Sequence, residues 1–295
     1  MEIANRSAST TIVRPAQRSD LEVINRLLQE QFYSHVHIDW FTVEDWFGDT
    51  GFVVLEEEGL MGSIAATAAP PPAAWVRLAV LRYGRKAATH LTTLIENVCT
   101  RLRQEHICEL AWMSNKRWAD QWLPKLDFAI EHHIEAYVKE ELSIPAHPQP
   151  ADLVIRPLLP EDLPLLVQLE EETFAPIWRH NHKGLHLAWH QALSFDVALI
   201  NDRVVGFQHS VPSPNKVAHL ARMTVHPSMQ GSGIGSALLA HALQGYRSRG
   251  YRSASLNTQT DNQASQKLYK RFGFAPTNYR LPIWVRHLEK YDEKT

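Results

Sequence analysis

One short passage of this sequence is written twice. Arg14-Pro15, Asp20-Leu21 and Phe32 return as Arg156-Pro157, Asp162-Leu163 and Phe174, all at an offset of 142 positions. Three matches at one fixed offset argue for two copies of one fold. Each copy opens alike. A short β run ends at Pro15 or at Pro157, and helical spacing follows: Leu21, Ile24, Leu27 and Leu28 in the first copy, Leu163, Leu165, Leu166 and Leu169 in the second. Between the copies lies the proline-rich stretch Ile144-Pro145-Ala146-His147-Pro148-Gln149-Pro150, read as a linker over 144–151. This predicts one domain over 11–143 and another over 152–295, with a flexible polar tail at 1–10. A length of 295 residues suits two domains.

The copies run on in parallel. Residues 51–55 and 60–65 predict a hairpin across an acidic turn, and 197–200 with 204–207 predict its counterpart across Asn201-Asp202. Residues 75–80 and 217–225 are the next strand in each copy. There the copies part. The second enters Gln230-Gly231-Ser232-Gly233-Ile234-Gly235-Ser236 and then an amphipathic helix to about Ser248, stopped by Gly250. The first has Leu81-Arg82-Tyr83-Gly84-Arg85-Lys86, with a single glycine, before a helix over 90–102.

Glycines at alternate positions let backbone N–H groups approach a ligand, and the helix behind them adds free N–H groups and the positive end of its dipole. That is a cradle for a pyrophosphate. A P-loop would need Gly-Lys-Ser/Thr, and Gly235 is followed by Ser236-Ala237. A dinucleotide fingerprint would need a sixth-position glycine, and Ser236 or Leu238 stands there.

A second motif follows a predicted strand at 252–257. It reads Asn262, Ser265, Tyr269, Gly273, Phe274, on a helix with Asp261 as its cap and Ala264, Leu268 and Phe272 as its expected buried stripe. With Gln230-x-x-Gly233-x-Gly235 upstream, the sequence resembles the GNAT (N-acetyltransferase) superfamily over about residues 195–275. The resemblance implies an α/β fold with a mixed sheet flanked by helices. The chain would be two tandem acyl-CoA N-acyltransferase domains, the first degenerate. It implies acetyl-CoA as co-substrate, held where the strand before the glycine loop splays from the strand at 252–257. The implied contacts are Met223, Thr224 and Val225 along the pantetheine, and Gln230, Gly231, Ser232, Gly233, Ile234, Gly235 and Ser236 at the pyrophosphate. Asn257, Asn262 and Ser265 complete the set. It also implies Tyr269 as general acid and the Val225 backbone as the oxyanion donor.

The reaction needs a neutral amine, a stabilised oxyanion and a proton for the leaving thiolate. A phenol of ordinary pKa near 10 suits the last task. The general base stays open between His219, His209, Glu171, Glu172 and a water chain, because the strand at 219–225 carries no carboxylate. His182, His186 and His190 recur every four residues and read as a solvated or substrate-facing stripe, so no metal is expected. The tryptophans of the first copy read as core and interface aromatics.

A net charge of −2 offers no footprint for nucleic acid, and two cysteines make no disulfide framework. With no apolar leader near Met1 and no run of about 18 apolar residues, a cytoplasmic protein without a membrane span is expected. The reading is an N-acetyltransferase acting on the amine of a small molecule or peptide N-terminus, as monomer or homodimer. The alternatives are a non-catalytic acyl-CoA-binding or regulatory protein, and an acyltransferase using another acyl-CoA.

Overall fold

A computed structural model describes residues 11–68 and 70–288; the expected tail at 1–10 lies outside the described residues. In chain order the elements are β1 (Ile12–Pro15), α1 (Leu21–Glu30), β2 (Ser34–Val36), β3 (Phe52–Glu56), β4 (Leu60–Ala68), β5 (Ala73–Leu81), α2 (Ala87–Gln104) and β6 (Glu109–Met113). Then come β7 (Ala129–Lys139), β8 (Leu153–Pro157), α3 (Leu163–Thr173), α4 (His182–His190), β9 (Ser194–Ile200), β10 (Arg203–Ser213) and β11 (Val217–Val225). The chain closes with α5 (Ile234–Ser248), β12 (Ser253–Gln259), α6 (Gln263–Arg271) and β13 (Ala275–His287).

The described residues form two compact units, one within 11–131 with 283–288, and the other 132–282. Their boundaries fall inside β7 and β13 rather than at 144–151. Residues 134–139 of β7 pair antiparallel with β12, and residues 283–287 of β13 pair antiparallel with β6. Each copy therefore gives its last strand to the other unit. A break at the proline-rich stretch assumes that each copy keeps that strand, and a strand's partner is not written in its own sequence.

In the first unit the strands run β1-β3-β4-β5-β6 and then the end of β13, with β5 and β6 parallel. Alternation buries both faces of the sheet. Val53 and Leu55 meet Leu91, Leu94, Ile95 and Val98 of α2, while Phe52 and Val54 meet Ile24 and Leu27 of α1. Trp46, Trp75, Trp112 and Trp118 are buried in this unit. In the second unit the order is β8-β9-β10-β11-β12-β7, with β11 and β12 parallel. Leu239, Leu243 and Tyr246 of α5 cover Ala218, Leu220, Ala254 and Leu256, each large apolar side chain contributing about 2 kcal/mol by leaving water.

The repeat holds at the level of single hydrogen bonds. Arg14 grips Asp20 with two bonds of 2.8 Å, and Arg156 grips Asp162 at 2.7 and 2.9 Å. In both places the aspartate also accepts from a backbone N–H three residues earlier, Gln17 or Leu159, at 2.8 Å. Near the far end of each copy, Asp127 at φ +58° stands where Gly273 has φ +81°.

Candidate functional site

A gap in the second sheet organises the site. β11 and β12 are partners only from Val217↔Ser253 to Leu220↔Leu256. Past that point β11 continues to Val225 on β10, and β12 continues to Gln259 on β7. A bulge opens the gap. β10 pairs His209 with Arg222 and Ser210 with Leu220, which leaves Ala221 as an extra residue that bends β11 away. The bulge also shifts the faces of the strand. Ala218 and Leu220 face α5 before it, Met223 and Val225 face α5 after it, and Arg222 and Thr224 turn toward α3. Met223, Thr224 and Val225 thus line the gap with backbone. The Thr224 hydroxyl is turned away, donating to Glu170 at 3.1 Å. Asn257, the first residue of β12 past the last pair, is exposed at the opening.

The glycine loop sits at the end of β11. A short turn at Pro227–Met229 is held by Met229 N–H to His226 carbonyl at 2.9 Å. The Gln230 carboxamide donates back to the Val225 carbonyl at 3.2 Å, so Gln230 fixes the loop to the strand. Gly231 (φ +81°) and Gly233 (φ +98°) carry the chain through left-handed conformations into α5. A Cβ on Gly231 would meet nothing within 4 Å, while one on Gly233 would meet the Pro148 carbonyl at 2.8 Å. Gly235 lets α5 approach Leu268 of α6. The first bonded amide of the helix is Ala237, to Gly233. Among the described residues, no carbonyl accepts from the N–H groups of Gly231 through Ser236, and Ile234, Gly235 and Ser236 form the first turn. Arg271, exposed at the end of α6, donates to the Ser236 hydroxyl and brings a cation to this helix start. Sequence spacing missed Arg271, because nothing local places the end of α6 beside the start of α5.

α6 differs from its sequence reading in two respects. Its cap is Asn262, whose side-chain oxygen accepts from Ser265 N–H at 3.1 Å, rather than Asp261. Its buried residue is Tyr269, with Ala264 exposed and Phe272 buried just past the helix end. Tyr269 packs on Tyr137 of β7 and on Phe274, with ring centroids 6.5 and 6.0 Å away. Burial pushes its phenol up to about 12 against a hydrogen bond with Ser265 and the charge of Arg222. The phenol is protonated throughout the neutral range.

On the α3 side, Glu170 is fully buried. Arg222 meets it through two nitrogens, Nε at 3.0 Å and Nη2 closer still, and donates to the Trp178 carbonyl at 2.7 Å. The guanidinium lies 3.7 Å from the centre of the Phe174 ring. His180 adds Nδ1 to the carboxylate at 3.1 Å. Burial alone would raise Glu170; Arg222 and His180 overcome it and hold the carboxyl at about 2. Glu170 is thus a fixed anion that orders the segment 174–180, not a proton acceptor at neutral pH. It falls on the apolar stripe of α3, four residues after Leu166, and a carboxylate on that stripe was the available signal. Arg222→Met should destabilise the chain by about 3–5 kcal/mol, because it strands a buried charge. Denaturant unfolding of Arg222→Met against the Glu170→Gln/Arg222→Met double variant checks this: the double variant should recover part of the loss.

Of the base candidates, His209 bonds to the Ala188 carbonyl at 2.9 Å, and burial pulls it down to about 4. His219 meets the Ser255 hydroxyl at 2.9 Å, in the paired part of β11, and burial lowers it too. Glu172 is engaged by His226 at 2.8 Å, and Glu171 is exposed. His182, His186 and His190 do share an exposed face of α4, with the His186 and His190 ring centres 4.5 Å apart. Among the described residues no group of three or more metal-binding side chains converges, and no helix is long and apolar enough to cross a membrane.

Residues 163–274 match the Acetyltransferase (GNAT) family. The span runs from the first residue of α3 to Phe274 and takes in the gap, the glycine loop and α6. The second copy is a GNAT domain. Over 88 residues the chain is 31% identical to a mycothiol acetyltransferase of Actinosynnema mirum, a match that covers 30% of this chain and 30% of that protein. The chain thus matches about a third of the length of the curated relatives. Two solved structures share the fold across the whole chain. One is a tandem GNAT protein from the clavulanic acid biosynthesis pathway, with TM-score 0.58, 14% identity and coverage of 96% of this chain and 100% of that one. The other is a GCN5-related N-acetyltransferase from Sphaerobacter thermophilus, with TM-score 0.58, 16% identity and coverage of 95% and 96%. The chain therefore has a tandem GNAT fold, with mixed sheets flanked by helices.

Proposed function

We propose that the GNAT domain transfers an acetyl group from acetyl-CoA to the amine of a small molecule or of a peptide N-terminus. The parting of β11 and β12 directly beside a turn of unbonded amides carries this reading. GNAT proteins in general use acetyl-CoA as a co-substrate. The residues fit it: amides 231–236 and Arg271 suit the pyrophosphate, and the backbone of Met223, Thr224 and Val225 suits the amide-bearing arm. When bound, acetyl-CoA supplies the thioester carbonyl that the amine attacks. The Val225 N–H stands to stabilise the charge that develops on that carbonyl oxygen, and Tyr269 holds a proton for the departing sulfur. Asn262 caps the helix that carries that phenol. With His209 and His219 both lowered by burial and Glu170 ion-paired, an acceptor arriving as free amine, or deprotonated through water, fits best.

Thiol release from acetyl-CoA in the presence of a panel of amines tests the reading. Amine-dependent release is expected. CoA binding without turnover on any amine would favour the acyl-CoA-binding alternative, and turnover only with longer acyl chains would change the donor.

A further inference from the structure

The first unit repeats the gap and fills it. β5 and β6 are parallel partners only from Ala73↔Glu109 to Trp75↔Ala111. The β4–β5 register skips Arg77, the bulge that Ala221 supplies in the second unit. Beyond it, β5 meets β2 in the register Ser34↔Val80, His35↔Ala79, Val36↔Leu78. β4 holds the other edge of β5 along this whole stretch, so β2 lies in the gap itself. The His37 N–H donates to the Arg77 carbonyl at 2.7 Å, and the Leu81 N–H to the Tyr33 carbonyl at 2.9 Å. These are the strand-edge bonds that an amide-bearing arm would make.

The segment after β6 fastens β2 in place. Trp118 Nε1 donates to the Ser34 carbonyl at 3.0 Å, Lys116 Nζ to the Ser34 hydroxyl at 2.8 Å, and Asn115 Nδ2 to the Val36 carbonyl at 3.2 Å. His35 donates Nε2–H to the Val76 carbonyl at 3.1 Å, and its Nδ1 meets the Asn115 carboxamide at 3.0 Å. Ser34 and His35 are each only 1% exposed. In the second unit the corresponding segment after β12 carries Asn262 and α6 instead. At the 142 offset, Ser34-His35-Val36 corresponds to Pro176-Ile177-Trp178. That segment is a 3-10 turn, not a strand.

We propose that β2 is a built-in occupant of the first unit's acyl-CoA slot, so that the chain carries one acyl-CoA site, in the second unit. The proposal rests on the reading of the second gap as the seat of the acyl-CoA arm. Native mass spectrometry of the full chain titrated with CoA tests it, together with hydrogen exchange at the His37 and Leu81 amides. One CoA per chain is expected, lost in Ser232→Glu, with both amides exchanging as slowly as those of the β4–β5 ladder whether CoA is present or not. Two CoA per chain, or one that survives Ser232→Glu, would overturn the filled slot. No binding to the wild-type chain would instead overturn the reading of the second gap. In that case exchange decides the first: free exchange at both amides would show that β2 does not occupy it.

Discussion

Tyr269→Phe is expected to lower turnover about 100-fold while leaving CoA affinity unchanged, the low end of what a general acid contributes. The phenol sits among Tyr137 and Phe274, where a phenylalanine ring packs equally well, so the loss isolates the hydroxyl. Only Ser265 loses a partner. The raised pKa fixes the sign of the pH dependence. A group at about 12 keeps its proton through the neutral and mildly alkaline range, so the wild-type rate should show no alkaline fall assignable to Tyr269 below about pH 11. Steady-state kinetics of thiol release, with CoA affinity measured separately, check both statements. Unchanged turnover would remove Tyr269 from proton transfer.

Ser232→Glu is expected to weaken CoA binding by a factor of about 100 or more, since like charges brought together cost several kcal/mol. Ser232 is exposed within the turn, and its hydroxyl meets only the Met229 carbonyl at 2.6 Å. A carboxylate just before α5 also favours the helix through its dipole, so thermal stability should hold or rise while affinity falls. That opposition of signs separates lost binding from lost folding. Ser232→Gln, of the same size without the charge, should stay within a few-fold of wild type. A charge at Gly233 would be a poorer probe, because its Cβ would strike the Pro148 carbonyl at 2.8 Å. Calorimetric titration and thermal melts of the three proteins decide the matter.

The fold was legible where residues act locally. The recurring Arg-Pro and Asp-Leu pairs mark a guanidinium–aspartate clasp that exists twice, at Arg14–Asp20 and at Arg156–Asp162. Asn201 and Asp202 turn at φ +49° and +58°, and the glycine loop enters α5 where its spacing placed it. What stayed hidden depends on partners distant in sequence. The exchange of β7 and β13 between units is one case. Arg222 is another: strand alternation gives its direction only once the bulge at Ala221 is known. β2 is the third, since three residues, Ser34 to Val36, carry too little pattern to announce a strand.

The proposed seat of acyl-CoA is the gap between β11 and β12, with the turn at 231–236. The most direct measurement is an experimental structure of the full chain with CoA bound. Pyrophosphate is expected on the amides of Gly231 through Ser236 and pantetheine alongside Met223, Thr224 and Val225, with β2 still paired to β5. CoA seated elsewhere, or a gap closed by the protein's own chain in its presence, would contradict it.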